Sequence, residues 1–144
     1  MRFENTVVID APVDTVWDMT IDVARWPSIT PTMTRVQRLD SGPMRVGSQA
    51  RIKQPGQSEA VWTVTHLGPA GQDGKGREFT WQTRRLGLTM TGSHHLEPLG
   101  VGTRNTLTLD VSGPGAGIFG RLFGRIMRNA IATENAGFRA AATS

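Results

Sequence analysis

The chain contains no cysteine and no tyrosine. The first absence removes disulfides, thiolate metal ligands and thiol nucleophiles. The second removes a common phenolic proton donor. No apolar run approaches the ~18 residues of a membrane-spanning helix. No N-terminal stretch joins a basic region to an apolar one, so a soluble, cytoplasmic protein without stable membrane insertion is expected. Three histidines without ligand spacing make a metal site an unlikely reading, and no cofactor is expected. Acids are fewer than bases, giving a net charge of +4. The pI near 11.0 overstates this charge, because the bases are mostly arginine and no Tyr or Cys titrates against them. The arginines are dispersed and not interleaved with aromatics, which argues against nucleic acid as a partner.

What is present is enough chain, 144 residues, for a single domain over 1–144 with a real core. Residues 2–10 alternate, with Phe3, Val7 and Ile9 on one face, as a half-buried strand does. Val13, Val16, Trp17 and Thr20 then fall at i, i+3, i+4 and i+7, one face of a helix. Pro12 suits its start, and Asp14 suits its dipole. A second short helix is expected to stop at Trp26, because Pro27 disfavours the α conformation before it. Weaker strands follow at 33–40 and around Ala50 and Ile52, and β-formers fill 60–67. Gly68 to Gly76 reads as a turn region, and Phe79 and Trp81 alternate after it.

Residues 88–97 place Leu88, Met90, Gly92, His94 and Leu96 on one face. Pro98 to Gly102 reads as a turn. Residues 103–112 place Asn105, Leu107, Leu109 and Val111 on one face. Short strands with short turns imply an antiparallel meander with one wet face. Gly113-Pro114-Gly115 closes it and opens a helix to about Ala141. At ~100° per residue, Phe119, Leu122, Phe123, Ile126, Ala130, Thr133 and Gly137 form a stripe, with Arg121, Arg125, Arg128 and Arg139 roughly opposite. An apolar sheet face must be covered, and only this helix is long enough to do it.

This order of elements, together with Ile9-Asp10-Ala11-Pro12-Val13, Val16-Trp17, Trp26-Pro27, Thr30-Pro31, Val46-Gly47-Ser48, Trp62-Thr63-Val64-Thr65, Phe79-Thr80-Trp81, Leu96-Glu97-Pro98 and Gly102-Thr103-Arg104, resembles the START-like superfamily, and within it the bacterial polyketide cyclase/dehydrase branch. The likeness spans essentially the whole chain. It implies an α+β helix-grip fold: a curved antiparallel seven-stranded sheet around a long C-terminal helix, with two short helices after the first strand. It also implies a deep apolar pocket. Such folds host carriers, cyclases, hydrolases and binding proteins, so the resemblance does not choose among them.

The pocket is expected to be lined by Trp62, Phe79, Trp81, Met90, His94 and Leu107, together with Leu109, Leu122, Ile126 and Ala130. Concave sites are built mostly of such side chains. Ala130, Thr133 and Gly137 on the covering helix should leave space unfilled. His94 is the leading candidate for chemistry, as acid, base or ligand anchor in an apolar cleft. The plainer reading is a core histidine bonded to backbone. Short hairpins would set it across from Leu107 and near Phe79. His95 must face the other way, and His66 should be partly exposed. Asn105, polar on an apolar face, either holds a ligand carbonyl or oxyanion, or reaches loop backbone or solvent. Glu134 flanks the helix stripe; exposure is the ordinary expectation for it, and leaning inward would raise its pKa. Gly115 to Gly120 spells G-x-G-x-x-G, but no second parallel strand with a terminal acid follows, so it is no dinucleotide fingerprint.

Three functional readings follow. The first is a carrier or binding protein for a small hydrophobic, polyketide-, lipid- or aromatic-like molecule. The second is a cyclase-type enzyme using His94 and Asn105. The third is an interaction module with a filled core. A monomer or homodimer fits all three.

Overall fold

Alternating burial along each strand sets the architecture. The computed structural model describes residues 1–144. β1 (Arg2–Ile9) leads into α1 (Val13–Ile21), a 3₁₀ turn (Val23–Arg25) and α2 (Trp26–Ile29). Then come β2 (Arg35–Arg38), β3 (Gln49–Lys53), β4 (Ala60–Ala70), β5 (Gly76–Arg85), β6 (Leu88–Leu99), β7 (Gly102–Ser112) and the long α3 (Ala116–Ala142). The strands form one sheet in the order β1-β7-β6-β5-β4-β3-β2. Every neighbouring pair is antiparallel. This is the seven-stranded helix-grip architecture that the sequence implied.

Four local expectations are corrected. The chain does not leave the helix at Trp26: α2 begins there, with Pro27 in its first turn. A first-turn N–H has no intrahelical partner, so proline sacrifices nothing at that place. The Gly68–Gly76 turn is shorter than expected. β4 runs through Pro69 to Ala70, which pairs with Gly76. Likewise Pro98 stays in β6, opposite Thr103, and only Gly100 and Val101 turn.

The fourth correction concerns the face of α3. Its buried residues are Gly124, Ile131, Glu134, Asn135 and Phe138. Leu122, Ile126 and Thr133 are exposed instead. At ~100° per residue the helix is turned by about a third of a revolution from the expected stripe. The reason lies in its first half, whose apolar side chains spread over about half of its circumference and so fix the direction only loosely. In the second half the buried side includes two polar residues that hydropathy discounts. Gly137 leaves no void either. A methyl group there would meet the Ile29 carbonyl oxygen, so glycine lets α3 touch the end of α2. A Gly137→Ala protein is expected to lose about 1–3 kcal/mol, the usual cost of overpacking. Chemical denaturation checks this, and an unchanged midpoint would mean that α2 moves aside freely.

The core is centred on Trp26, which is fully buried. Its ring packs against Phe79, Trp81, His94 and Phe138, with centroid separations of 5.9, 5.1, 5.1 and 5.7 Å. The indole Nε1 donates to the Met19 carbonyl at 3.3 Å, so the ring's one polar atom is satisfied inside the core. Thr103 Oγ1 donates to the Ala11 carbonyl at 2.8 Å and ties the start of the helical segment to β7.

Candidate ligand-binding cavity

α3 bears chiefly on β1 and β7, at one side of the sheet. The concave surface of β4, β5 and β6 therefore faces a space that backbone does not fill. This space is a cavity of about 670 Å³, within the ~300–1,000 Å³ of small-molecule sites. This cavity counts against a filled core, the premise of the interaction-module reading. Trp62, Trp81, Met90, His94, Leu107 and Leu109 line the cavity from the sheet, and Ile126 and Ala130 border it from α3.

Three expected residues lie elsewhere. Phe79 is fully buried behind the wall, packed against Trp26, Trp81 and His94. Leu122 is 67% exposed and turned away from the cavity. Asn105 is fully buried but outside the lining; its Nδ2 donates to Asn135 Oδ1 at 2.9 Å. It therefore joins sheet to helix and reaches neither solvent nor the cavity. Conversely, sequence reasoning missed Trp26, Met33, Met127 and Ile131, which also line the space. For Trp26 a signal existed, since a large aromatic directly before a proline suited to a first helical turn is a candidate core anchor. The sequence pattern alone marks it only as a helix end.

His94 sits opposite Phe79 on β5 and Leu107 on β7, as alternation and short hairpins require. His95 points to the other face, with Nδ1 3.5 Å from Glu78 Oε1. Across the cavity, α3 brings Glu134 Oε1 to 3.6 Å from His94 Nε2. Glu134 is 9% exposed and His94 4%, so the outward glutamate expected from the helix pattern is buried. The separation is too long for a hydrogen bond. Burial lowers the His94 pKa from 6.5 to about 3, with neighbouring His95 pushing the same way. Burial raises Glu134 from 4.5 to about 7, opposed in part by the Thr32 hydroxyl. Desolvation thus favours the neutral form of both groups. His94 Nδ1 is buried without a hydrogen-bond partner. The cavity is therefore a mostly apolar chamber whose polar lining includes Gln54, Gln57, Ser58, Arg85 and Thr108, and in which His94 and Glu134 pair a neutral imidazole with a carboxyl that exchanges its proton near neutrality.

A helix-grip fold enclosing a chamber of this kind defines a class of hydrophobic-ligand-binding domains. The chain belongs to the family described as polyketide cyclase/dehydrase and lipid transport, whose model matches residues 1–143. A curated relative from Streptomyces halstedii, provisionally named a polyketide cyclase, is 36% identical over 63 residues, covering 42% of this chain. The match spans about half of that relative's length, 54%. Among solved structures, an aromatase/cyclase from a Streptomyces species superposes with a TM-score of 0.75 at 18% identity, covering 99% of this chain and 93% of that one. A STAR-related lipid transfer protein from Xanthomonas axonopodis gives 0.75 at 14% identity, covering 99% and 86%. A hypothetical protein of Helicobacter pylori gives 0.83 at 13% identity, covering 99% and 88%. At such identities these structures share the fold with this chain.

Proposed function

We propose that the protein binds and carries a small hydrophobic molecule bearing one polar group. The apolar body would lie against Trp62, Trp81 and Met90, and the hydroxyl or carbonyl would meet the His94–Glu134 spot. The observation that carries this reading is His94 Nε2, 3.6 Å from Glu134 Oε1 and so beyond hydrogen-bond reach of it, on a ring lining a mostly apolar chamber. Leaving such a group unpaired costs about 1–3 kcal/mol. A ligand's polar atom would offset that cost, while its apolar body gains burial. Polyketide-, lipid- and aromatic-like molecules share this chemistry.

The test fills the chamber. Ala130 is a small side chain on its helical wall, and Ala130→Trp adds an indole there. The neutral fluorophore N-phenyl-1-naphthylamine should bind the native protein and bind the variant at least about tenfold more weakly, a loss of ~1.4 kcal/mol. Thermal unfolding should stay cooperative. Equal affinity would place the fluorophore elsewhere and remove the carrier reading. Native mass spectrometry of freshly purified protein would then look for the resident molecule.

A second reading is favoured by the 3.6 Å approach of two buried titratable groups. In a cyclase-type reaction, neutral His94 would take a proton from a carbon flanked by carbonyls. The resulting carbanion would attack a second carbonyl carbon, and protonated Glu134 would give its proton to the alkoxide formed. Exchange with water would restore both groups. Asn105, bonded to Asn135, has no part in this version. General acid–base groups supply ~10²–10⁴-fold of rate, so His94→Gln and Glu134→Gln should each lose that much turnover once a substrate is in hand.

A further inference from the structure

The first half of α3 and the β5–β6 hairpin flank the open side of the cavity, and both show apolar side chains to water. Ile118, Leu122 and Ile126 are 65%, 67% and 57% exposed. At i, i+4 and i+8 they form one continuous ridge. On one side of it Phe119 and Phe123, stacked at 5.2 Å, lead into the cavity wall. On the other side lie Arg121 and Arg125, each three residues beyond a ridge member. Across the mouth, Leu86 is 98% exposed at the hairpin tip. Its φ is +51°, followed by Gly87 at +79°. Two successive positive values define a turn that favours Asn-Gly, and a bulky residue in the first place is strained. Leu86 thus carries both a backbone cost and an almost fully exposed apolar side chain at the cavity mouth.

The charge around this mouth has one sign. Between Asp110 and Glu134 the chain holds Arg121, Arg125 and Arg128 and no acid. Arg85 lines the mouth and bonds only to Ser58. None of these arginines has a carboxylate within ion-pair reach. The nearby Glu59 is held by Arg35 and Arg51.

The geometry points to a docking surface for an anionic lipid bilayer, with Leu86 and the Ile118–Leu122–Ile126 ridge entering the headgroup layer and Arg85, Arg121 and Arg125 meeting lipid phosphates. A helix face with apolar and basic ridges side by side is the form that lies in an interface. A second copy fits poorly, because a symmetric contact would set the arginines of both chains against each other. A folded acidic protein would need a surface shaped to two separate projections on either side of an opening, whereas a fluid bilayer accepts them as they stand. The surface surrounds the cavity mouth, so docking would give a hydrophobic ligand a dry route between membrane and chamber. This last step rests on the carrier reading, but the docking itself does not.

Flotation with vesicles of phosphatidylcholine alone, or of phosphatidylcholine with one third phosphatidylglycerol, provides the test. The native protein should float with the anionic vesicles and be released as salt rises, since exposed charges are screened. Ile118 and Leu122 lie outside the cavity lining. The double variant Ile118→Gln/Leu122→Gln should bind at least about tenfold more weakly, the scale of burying one large apolar side chain. Arg121→Gln and Arg125→Gln should each cost about fivefold, from ~1 kcal/mol per basic residue at an anionic surface. Arg139→Gln, at the far end of α3, should change nothing. N-phenyl-1-naphthylamine binding and thermal unfolding should be native in all four, which separates docking from failure of the cavity or the fold. Absence of flotation at low salt would overturn the proposal. So would flotation indifferent to the apolar variant, which would mean only that a basic protein adheres to anions. Sedimentation showing a dimer that Leu122→Gln dissociates would assign the face to a second copy and overturn it too.

Discussion

An Asn135→Ala protein is expected to be less stable by about 3–5 kcal/mol, with a thermal midpoint lower by roughly 10 °C. Asn135 is fully buried on the sheet side of α3. Its Nδ2 donates to the Asn5 carbonyl at 3.1 Å, to Asn5 Oδ1 at 2.9 Å and to the Asn105 carbonyl at 3.1 Å. Its Oδ1 accepts from Asn105 Nδ2 at 2.9 Å. One amide thus joins α3 to β1 and β7, bonding the fully buried Asn105 and the half-buried Asn5. Truncation leaves several of their polar groups unpaired at once, each costing about 1–3 kcal/mol. Against a total of about 5–15 kcal/mol for a domain, this is a large fraction. Asn135→Asp separates bonding from volume. It keeps the shape and the acceptor but sets a carboxylate against two carbonyls and the Asn5 amide oxygen. It should be at least as damaging, as read by urea denaturation followed by tryptophan fluorescence. A near-native midpoint for Asn135→Asp would show that packing alone holds the helix there.

This junction also marks where sequence legibility ends. Each strand carried its own burial pattern, so the sheet, its antiparallel order and the register of His94 against Phe79 and Leu107 could be read from alternation and hairpin length. Period two is unforgiving, because a one-residue slip reverses every side chain. The same logic placed Trp62, Trp81, Met90, Leu107 and Leu109 on the cavity side. The direction of α3 could not be read in this way. Its first half spreads apolar residues over about half of its circumference, and its second half is oriented by Asn135, whose partners are 30 and 130 residues away. Asn105 is recognisable as an anomaly on an apolar face, but nothing local names the amide that its Nδ2 bonds. Glu134 follows from the same rotation. Once Asn135 turns toward β7, the preceding residue is carried over the cavity, and a side chain that composition assigns to solvent becomes the partner of His94.

Glu134 in that position gives the protein a pH dependence with a predictable sign. The carboxyl holds its proton more tightly in the folded state, about 7, than at its ordinary 4.5. Its contribution to stability is therefore whole below about pH 4.5 and is lost as the pH rises toward 7 and beyond. His94 acts in the opposite direction, lowered from 6.5 to about 3. Its contribution is whole above about pH 6.5 and is lost as the pH falls toward 3. The native protein should consequently weaken on both sides of a maximum near pH 5–6. By pH 8 the loss due to Glu134 is on the order of 3 kcal/mol, from ~1.4 kcal/mol per pKa unit. Glu134→Gln keeps the size and removes the titration. It should be more stable than the native protein at pH 8, on the order of 2–3 kcal/mol once the amide's own need for partners is counted. At pH 4.5 the two should be nearly equal. His94→Gln should flatten the acid limb and leave the alkaline one. Urea midpoints measured from pH 4 to 9 decide the matter. Parallel native and Glu134→Gln curves across that range would mean that the carboxyl titrates alike in the folded and unfolded chain, and the burial-driven shift that keeps the pair neutral would be overturned.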